Sequence, residues 1–385
     1  MPHAEEQRIP LDKFTPAAPT KEELPYANLV TLDLHEFDKG PEAREKLAQL
    51  ALESLHTTGF LYVVNHDVAP EKVQHQNDIA NTLLHYTDEQ KKAYMTTPEQ
   101  AAAGRMVGFK SPELSAAYGL TPTLNYYNVA KLNDEVFDEM DLSNIPPVLR
   151  QEVDSIRDVT KYLHTVVMRK LLILIAIALK VPPHTFANLH TWESYSNSYL
   201  RYATYDPSTK ENHEKYKDLF LPGHSDSSSM TFIFNQPSAG LQILAPGTQL
   251  GWEYVKYVEG TMVVNVGEGL SALTGGYLKP TIHRVVKPPA DQDQHRRISL
   301  IYFARCFDSC QLTPPESPVL KELGFQKITQ NMTMAEFAVR RFNGHERQNY
   351  DKDKLGRASL GRHDHTDNDG NFIKESELPV VEQKA

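Results

Sequence analysis

The chain has 385 residues, of which 40% are hydrophobic, so it can bury a sizeable core and is not a disordered chain. It carries 50 acidic against 40 basic residues, and a net charge of −10 argues against a nucleic-acid partner. Its two cysteines cannot form a disulfide framework and indicate a reducing compartment. The longest apolar run, Leu171 to Leu179, is too short for a membrane helix, which needs about 20 residues, so we expect a cytoplasmic protein with no membrane contact.

Helical patterns dominate the first half of the chain, after a proline-rich, charged arm over residues 1–28 and a short apolar strand at Leu29–Leu34. Leucines at helical spacing predict a helix over Pro41–Thr57, and Gly59 separates it from a buried strand over Phe60–Val64. Two further helices are predicted over residues 69–86 and 147–180, and a third is predicted to begin at Thr87, which forms a capping box with Gln90. Residues 100–143 are predicted to be mostly loop.

Short β-rich runs replace this pattern from about residue 195, with Gly, Pro and Asn between them, and they favour a sandwich or barrel. A last helix is predicted from Thr333, with Glu336 as its capping partner. The predicted strands are Tyr199–Tyr205, Met230–Asn235, Leu241–Leu244, Met262–Val266, Thr281–Val286 and Ile298–Ala304.

These patterns predict an α+β protein in which a helical N-terminal region packs on a β core that is followed by a C-terminal helix. No internal repeat or low-complexity tract is found in the sequence. The predicted parts are an N-terminal arm (1–28), a helical and mixed region (29–190), the β core (191–312), a C-terminal helix region (313–345) and a polar tail (346–385).

One sequence pattern in the β region has the spacing of a metal site. His224 and Asp226 are two residues apart, so in a strand they point to the same side while Ser225 points away. His283 lies in another predicted strand and can complete the set. Two imidazoles and one carboxylate leave the opposite coordination positions open, as in the facial triad of non-haem Fe(II) oxygenases. Zinc in a hydrolase can use the same donors.

A second pattern predicts a carboxylate clamp. Arg297 and Ser299 share one face of a predicted strand, and a guanidinium with a neighbouring hydroxyl can bind a carboxylate. Tyr205, on an upstream predicted strand, can add a phenol donor to the same carboxylate. A zinc hydrolase has no need of a dedicated carboxylate anchor, so the clamp favours the iron interpretation.

Several ordered segments carry a family resemblance over roughly residues 29–345. They are Gly59-Phe60-Leu61-Tyr62-Val63-Val64-Asn65-His66, Gly240-Leu241-Gln242-Ile243, Val264-Asn265-Val266-Gly267, His283-Arg284-Val285-Val286 and Arg297-x-Ser299 with Tyr302-Phe303. With these segments the chain resembles the isopenicillin N synthase-like branch of the 2-oxoglutarate/Fe(II)-dependent dioxygenases. Two positions depart from the family pattern: Ala203 stands where Asn is frequent, and Glu268 stands where Asp is usual.

The resemblance implies a distorted double-stranded β-helix, or jelly roll. It implies that His224, Asp226 and His283 bind Fe(II), and that Arg297, Ser299 and Tyr205 hold the distal carboxylate of the cosubstrate 2-oxoglutarate. The implied reaction uses O₂ to oxidise an unactivated C–H of a small molecule in biosynthetic or specialised metabolism. Hydroxylation, desaturation and oxidative cyclisation all remain open.

Substrate contacts are predicted from strand parity and from a Tyr-rich segment that is expected to form a loop over the mouth of the site. For the apolar candidates, ordinary core packing is an equal alternative, and Arg201 can equally belong to a structural salt bridge. The candidates are Arg201, Tyr199, Phe232, Phe234, Ile301, Phe303, Tyr126 and Tyr127.

Two alternatives remain at the level of sequence. An iron oxidase of the same fold would use no 2-oxoglutarate, and Arg297 and Ser299 would then bind the carboxylate of the substrate itself. A non-catalytic jelly-roll protein would use the pocket for recognition alone. The sequence identifies neither the substrate nor the oligomeric state.

Overall fold

The computed structural model describes residues 8–110, 115, 121–133, 142–244 and 251–346. The polar tail predicted for residues 346–385 therefore lies outside the described residues from position 347 onward. No helix within the described ranges is long and apolar enough to cross a bilayer.

Two β-sheets form the centre of the protein. The larger sheet has the strand order β1-β2-β10-β7-β12-β5-β4-β3, and the smaller has the order β6-β11-β8-β9. Strands from the predicted N-terminal region therefore share one sheet with strands of the predicted β core. The strands are β1 Thr31–Asp33, β2 Phe60–Val64, β3 Gly108–Phe109, β4 Leu124–Ala130, β5 Tyr199–Tyr205, β6 Leu219–His224, β7 Met230–Phe234, β8 Leu241–Leu244, β9 Trp252–Tyr254, β10 Met262–Val266, β11 His283–Val286 and β12 Arg297–Ala304.

Helices cover one face of the larger sheet. The predicted helix at 41–57 and the capping boxes at Thr87 and Thr333 are confirmed. The helix predicted over residues 147–180 is divided, with a π-helical segment at Leu163–Met168. The helices are α1 Pro41–Thr57, α2 Pro70–Leu84, α3 Asp88–Lys92, α4 Pro98–Ala102, α5 Pro147–Gln151, α6 Val153–Tyr162, α7 Arg169–Ala178, α8 Lys210–Tyr216, α9 Glu268–Leu273, α10 Pro318–Glu322 and α11 Met334–Glu346.

Alternation along the strands separates two apolar cores. Leu200 and Tyr202 of β5 pack against the helices, whereas Ala203 and Tyr205 of the same strand pack in the space between the two sheets. The inner core also contains residues of the smaller sheet, such as Ile243, so the two sheets face each other. The predicted α+β architecture is confirmed, and its inner face is where functional side chains can converge.

The loop predicted over residues 100–143 is wrong for its tyrosine-rich part. Residues 124–130 form β4, which pairs antiparallel with β5 along its whole length. Tyr126 lies in the inner core, and Tyr127 packs edge-on against Phe109 on the helical side, with ring centroids 4.8 Å apart. Alternating burial of this kind is the property of a strand, so this segment is a wall of the β core and not a cover over it.

Candidate active site

Strand pairing brings the two predicted histidine ligands together. His224 ends β6, His283 begins β11, and the two residues are direct partners in the antiparallel register. Their ring centroids are 4.3 Å apart. Asp226 lies two residues beyond the end of β6, and its Oδ1 is 3.7 Å from the Nε2 atom of each imidazole. One ligand atom from each side chain lies within 4.8 Å of the others.

Hydrogen bonds to backbone carbonyls orient both imidazoles. Nδ1 of His224 lies 2.9 Å from the carbonyl oxygen of Pro222, and Nδ1 of His283 lies 3.2 Å from that of Thr281. A carbonyl oxygen only accepts, so each Nδ1 is the protonated nitrogen and each Nε2 carries a free lone pair. Burial lowers the pKa of His224 to about 3, which keeps this imidazole in the neutral form that binds metals.

The carboxylate of Asp226 is held by its other oxygen. Its Oδ2 accepts hydrogen bonds from Oγ1 of Thr231 at 2.6 Å and from Nδ2 of Asn265 at 2.9 Å. Burial opposes ionisation here, but the two imidazoles and these two donors lower the pKa of Asp226. Three acceptor atoms thus face one another with no donor between them, and that arrangement fits a bound cation.

A further network, which the sequence did not reveal, ties the metal-site turn to the C-terminal helix. Oγ of Ser225 donates to Oε1 of Glu268 at 2.6 Å, and Nε of Arg341 on α11 lies 2.7 Å from Oε2 of the same carboxylate. The backbone N–H of Glu268 donates to the carbonyl oxygen of Asp226 at 2.8 Å. Glu268 therefore stabilises the turn that connects His224 with Asp226.

The predicted clamp lies on the facing sheet. Arg297 and Ser299 of β12 are buried, and an N–H of the guanidinium donates to the Ser299 hydroxyl. The guanidinium carbon is 5.0 Å from the ring centre of Tyr205, the direct strand partner of Arg297. Nε of Arg297 has no hydrogen-bond partner among the described residues. A buried guanidinium with an open donor fits a carboxylate ligand.

Five of the eight predicted substrate contacts share this inner wall. The guanidinium carbon of Arg201 lies 4.2 Å from the ring centre of Tyr126, 5.0 Å from that of Phe303 and 5.5 Å from that of Tyr199. Ile301 is the strand partner of Arg201 and packs against the inner core. These residues continue the face that carries Arg297 and Ser299.

The other three predicted contacts are wrong. Phe232, Phe234 and Tyr127 belong to the core between the sheet and the helices. Phe232 pairs with Tyr302, whose side chain also faces the helices, and the residue of β7 that enters the inner core is Ile233. Phe232 and Phe234 were chosen because they follow the metal-site turn, and Tyr127 because it lies in a predicted loop, but strand pairing decides which face a residue occupies.

Two protein-family models match the chain. Residues 194–305 match the 2OG-Fe(II) oxygenase superfamily, and residues 29–131 match the model described as non-haem dioxygenase in morphine synthesis N-terminal. Together they span more than half of the chain. The first match contains all six residues of the predicted metal site and clamp.

Relatives along most of the chain agree with this assignment. The chain is 23% identical to validamycin A dioxygenase of Streptomyces hygroscopicus subsp. limoneus, over 76% of this chain and 80% of that protein. It is also 23% identical to mugineic-acid 3-dioxygenase of Hordeum vulgare, over 82% of each chain.

Solved structures share the fold. A Neurospora crassa protein in complex with alpha-KG and thymine superposes with a TM-score of 0.68 at 19% identity, covering 85% of this chain and 99% of that one. The rice dioxygenase for auxin oxidation gives a TM-score of 0.62 at 18% identity, covering 86% and 99%. The jelly-roll fold is thereby confirmed, and the chain belongs to the isopenicillin N synthase-like family of 2-oxoglutarate/Fe(II)-dependent dioxygenases.

Proposed function

We propose that His224, Asp226 and His283 hold the Fe(II) of this dioxygenase, and that Arg297, Ser299 and Tyr205 hold the distal carboxylate of 2-oxoglutarate. One observation carries the proposal: three converging acceptor atoms at the end of the smaller sheet face the larger sheet, where the buried guanidinium of Arg297 has an Nε with no partner among the described residues. When bound, Fe(II) would activate O₂, and 2-oxoglutarate would supply the electrons that this activation requires, so that an unactivated C–H can be oxidised.

The protein contributes to this chemistry by orienting the three metal-ligand atoms, Nε2 of His224, Nε2 of His283 and Oδ1 of Asp226, without the help of a metal ion. Thr231 and Asn265 hold one oxygen of Asp226 and leave the other for the metal. Carbonyl acceptors hold the two imidazoles with Nε2 turned inward. Partners of this kind on the far side of metal ligands typically contribute about 10- to 100-fold to metal affinity.

Arg297 anchors the cosubstrate in this proposal. The Ser299 hydroxyl and the Tyr205 ring fix the guanidinium, and its open N–H groups bind the carboxylate in one plane. Because the site is buried, this charge pair is poorly screened by water and fixes the orientation of the diacid relative to the triad.

The substrate side is formed by Arg201, Tyr199, Tyr126, Ile301 and Phe303. The names of the relatives refer to small molecules, namely validamycin A, mugineic acid and auxin, which supports a small-molecule substrate in biosynthetic or specialised metabolism.

We also propose that the protein is located in the cytoplasm and that it binds neither nucleic acid nor a membrane. Both cysteines, Cys306 and Cys310, are free buried thiols, which supports a reducing environment.

The test is a metabolite screen read out by succinate release. We expect release that requires Fe(II), O₂ and 2-oxoglutarate, and that increases when a substrate is present. The mass of the product then separates hydroxylation, which adds one oxygen atom, from desaturation or cyclisation, which removes two hydrogens. Substrate oxidation that proceeds without 2-oxoglutarate and yields no succinate would contradict the proposed role of Arg297 and would favour an oxidase of the same fold.

A further inference from the structure

The guanidinium of Arg201 has no anionic partner in the part of the chain that the structure describes. Its Nε donates to Oδ1 of Asn128 at 2.8 Å, and this amide carries no charge. Within the described ranges, no carboxylate forms an ion pair with Arg201, and no acceptor binds its two terminal nitrogens. Arg201 is partly buried, and it lies on the same face of β5 as Ala203 and Tyr205, the face that lines the space between the two sheets. A charge held in such a place costs free energy unless a counter-ion arrives.

Aromatic rings hold this guanidinium in place. Tyr126, Phe303 and Tyr199 surround it, and the rings of Tyr199 and Phe303 also contact each other at 4.8 Å. Rings attract the flat faces of a guanidinium, whereas its N–H donors lie along its edge. With the faces covered and Nε fixed by Asn128, the edge that carries the terminal N–H groups is left for a planar, two-oxygen acceptor.

The position of Arg201 suits a substrate that lies beside the metal site. Arg201 pairs with Ile301, four residues along β12 from Arg297, so the two arginines are about 13 Å apart along the sheet. Arg201 lies on the same face of β5 as Tyr205, the strand partner of Arg297, so both guanidiniums line the inner face of the larger sheet. One arginine is thus placed for the cosubstrate and the other for a second anion.

We propose that Arg201 binds the carboxylate of the substrate, so that this dioxygenase oxidises small organic acids, a conclusion that rests on the function proposed above. The aromatic wall of Tyr126, Tyr199 and Phe303 then contacts the apolar part of the acid next to its carboxylate.

The experiment compares a set of small carboxylic acids, including phenylacetate, 3-phenylpropanoate and indole-3-acetate, with the primary amide of each acid. Binding to the anaerobic enzyme loaded with Fe(II) and 2-oxoglutarate is measured by calorimetry, and turnover by succinate release. We expect acids to bind while their amides do not. Arg201→Gln should weaken acid binding about 10- to 100-fold, because a charged, bidentate hydrogen-bond pair is lost. Arg201→Lys should retain part of the affinity.

Arg284→Gln is the matched control. Arg284 also lies against an aromatic ring, with its guanidinium carbon 4.1 Å from the ring centre of Trp252, and its Nε also donates to an amide oxygen, that of Gln242. It is next to the inward-facing His283, so strand alternation places it on the opposite face. We expect this variant to bind acids as the wild type does.

Three results would overturn the proposal: amides that bind as well as acids, no binding by any acid in the set, or unchanged acid binding in Arg201→Gln. Circular dichroism should show that Arg201→Gln is folded, and the control Arg284→Gln should keep the wild-type affinity for 2-oxoglutarate. If the wild type binds no iron and releases no succinate, the function proposed above fails. In that case, calorimetry of the acids with the metal-free protein decides the role of Arg201.

Discussion

The two walls of the β core treat their polar groups in opposite ways. At the metal-site wall, where the smaller sheet ends, hydrogen bonds from the protein orient each triad residue, and one oxygen of Asp226 accepts both of its bonds from Thr231 of β7 and Asn265 of β10, two strands of the larger sheet. On the larger sheet, and among the residues that the structure describes, the buried Nε of Arg297 has no partner and Arg201 donates a hydrogen bond to the neutral amide of Asn128 alone. The metal-site wall therefore presents oriented acceptor atoms that fit a cation, and the opposite wall presents charged donors that fit anions.

This difference separates two kinds of binding. A metal ion needs several ligand atoms at fixed positions, so the protein stabilises their orientation in advance. An organic anion brings its own acceptors, so the protein needs only charged donors that nothing else has taken. Substitutions on the two walls should therefore change different measurements, iron affinity on one and anion affinity on the other.

The largest effect is expected from Asp226→Ala. Loss of the carboxylate leaves two imidazoles and removes the only negative ligand, so iron binding and turnover should be abolished. Iron content after loading and succinate release measure the two effects, with circular dichroism to show that the variant folds. A folded Asp226→Ala protein with full activity would remove the triad from the mechanism.

Arg297→Gln should act on the other wall. The concentration of 2-oxoglutarate needed for half-maximal rate should rise about 10- to 100-fold, because the bidentate charged contact is lost. Iron affinity should stay at the wild-type value. Arg297→Lys, which keeps the charge without the planar fork, should fall between the two. If the 2-oxoglutarate requirement of Arg297→Gln is unchanged, the anchor lies elsewhere.

Thr231→Val tests the support behind the metal site with little change in volume. It removes one of two donors to Asp226, so iron affinity should fall by about 10-fold, the lower end of the usual range, because Asn265 keeps the second hydrogen bond. The half-saturating concentration of 2-oxoglutarate, measured at saturating iron, should not change. A loss of 2-oxoglutarate affinity without a loss of iron affinity would show that the two walls are not independent.

The smallest effect is expected from Glu268→Gln. The amide can still accept from Ser225, but the ion pair with Arg341 of α11 is lost. Since the Arg341 side chain is partly exposed, we expect less than about a fivefold loss of iron affinity. Arg341→Gln should give a loss of similar size. A loss as large as that of Asp226→Ala would mean that the C-terminal helix holds the triad together.

The sequence predicted those parts of the site that depend on local spacing. His224 with Asp226 and Arg297 with Ser299 are each two residues apart. β12 keeps the second pair on one side, whereas Asp226 lies just beyond the end of β6 and its carboxylate still reaches His224. Thr231, Asn265, Glu268 and Arg341 could not be predicted, because their contacts cross between segments whose register the sequence does not give.

The misplaced aromatic residues have the same physical cause. The Tyr-rich segment was predicted as a loop, so no face could be assigned to Tyr126 or Tyr127, and for β7 the sequence does not show which face turns inward. Strand pairing decides this, and it puts Ile233 and Tyr126 on the inner face and Phe232 and Tyr127 on the helical face. Strand β6 was not predicted, because Pro222 and Gly223 near its end interrupt the pattern of a strand.

The most direct test is an anaerobic crystal structure with Fe(II) and 2-oxoglutarate, with iron located by its anomalous scattering. We predict one iron per chain at about 2 Å from Nε2 of His224, Nε2 of His283 and Oδ1 of Asp226, with the free carboxylate of 2-oxoglutarate on Arg297. Iron bound away from any one of these three side chains, or a cosubstrate whose far carboxylate does not contact Arg297, would contradict the assignment of the two walls.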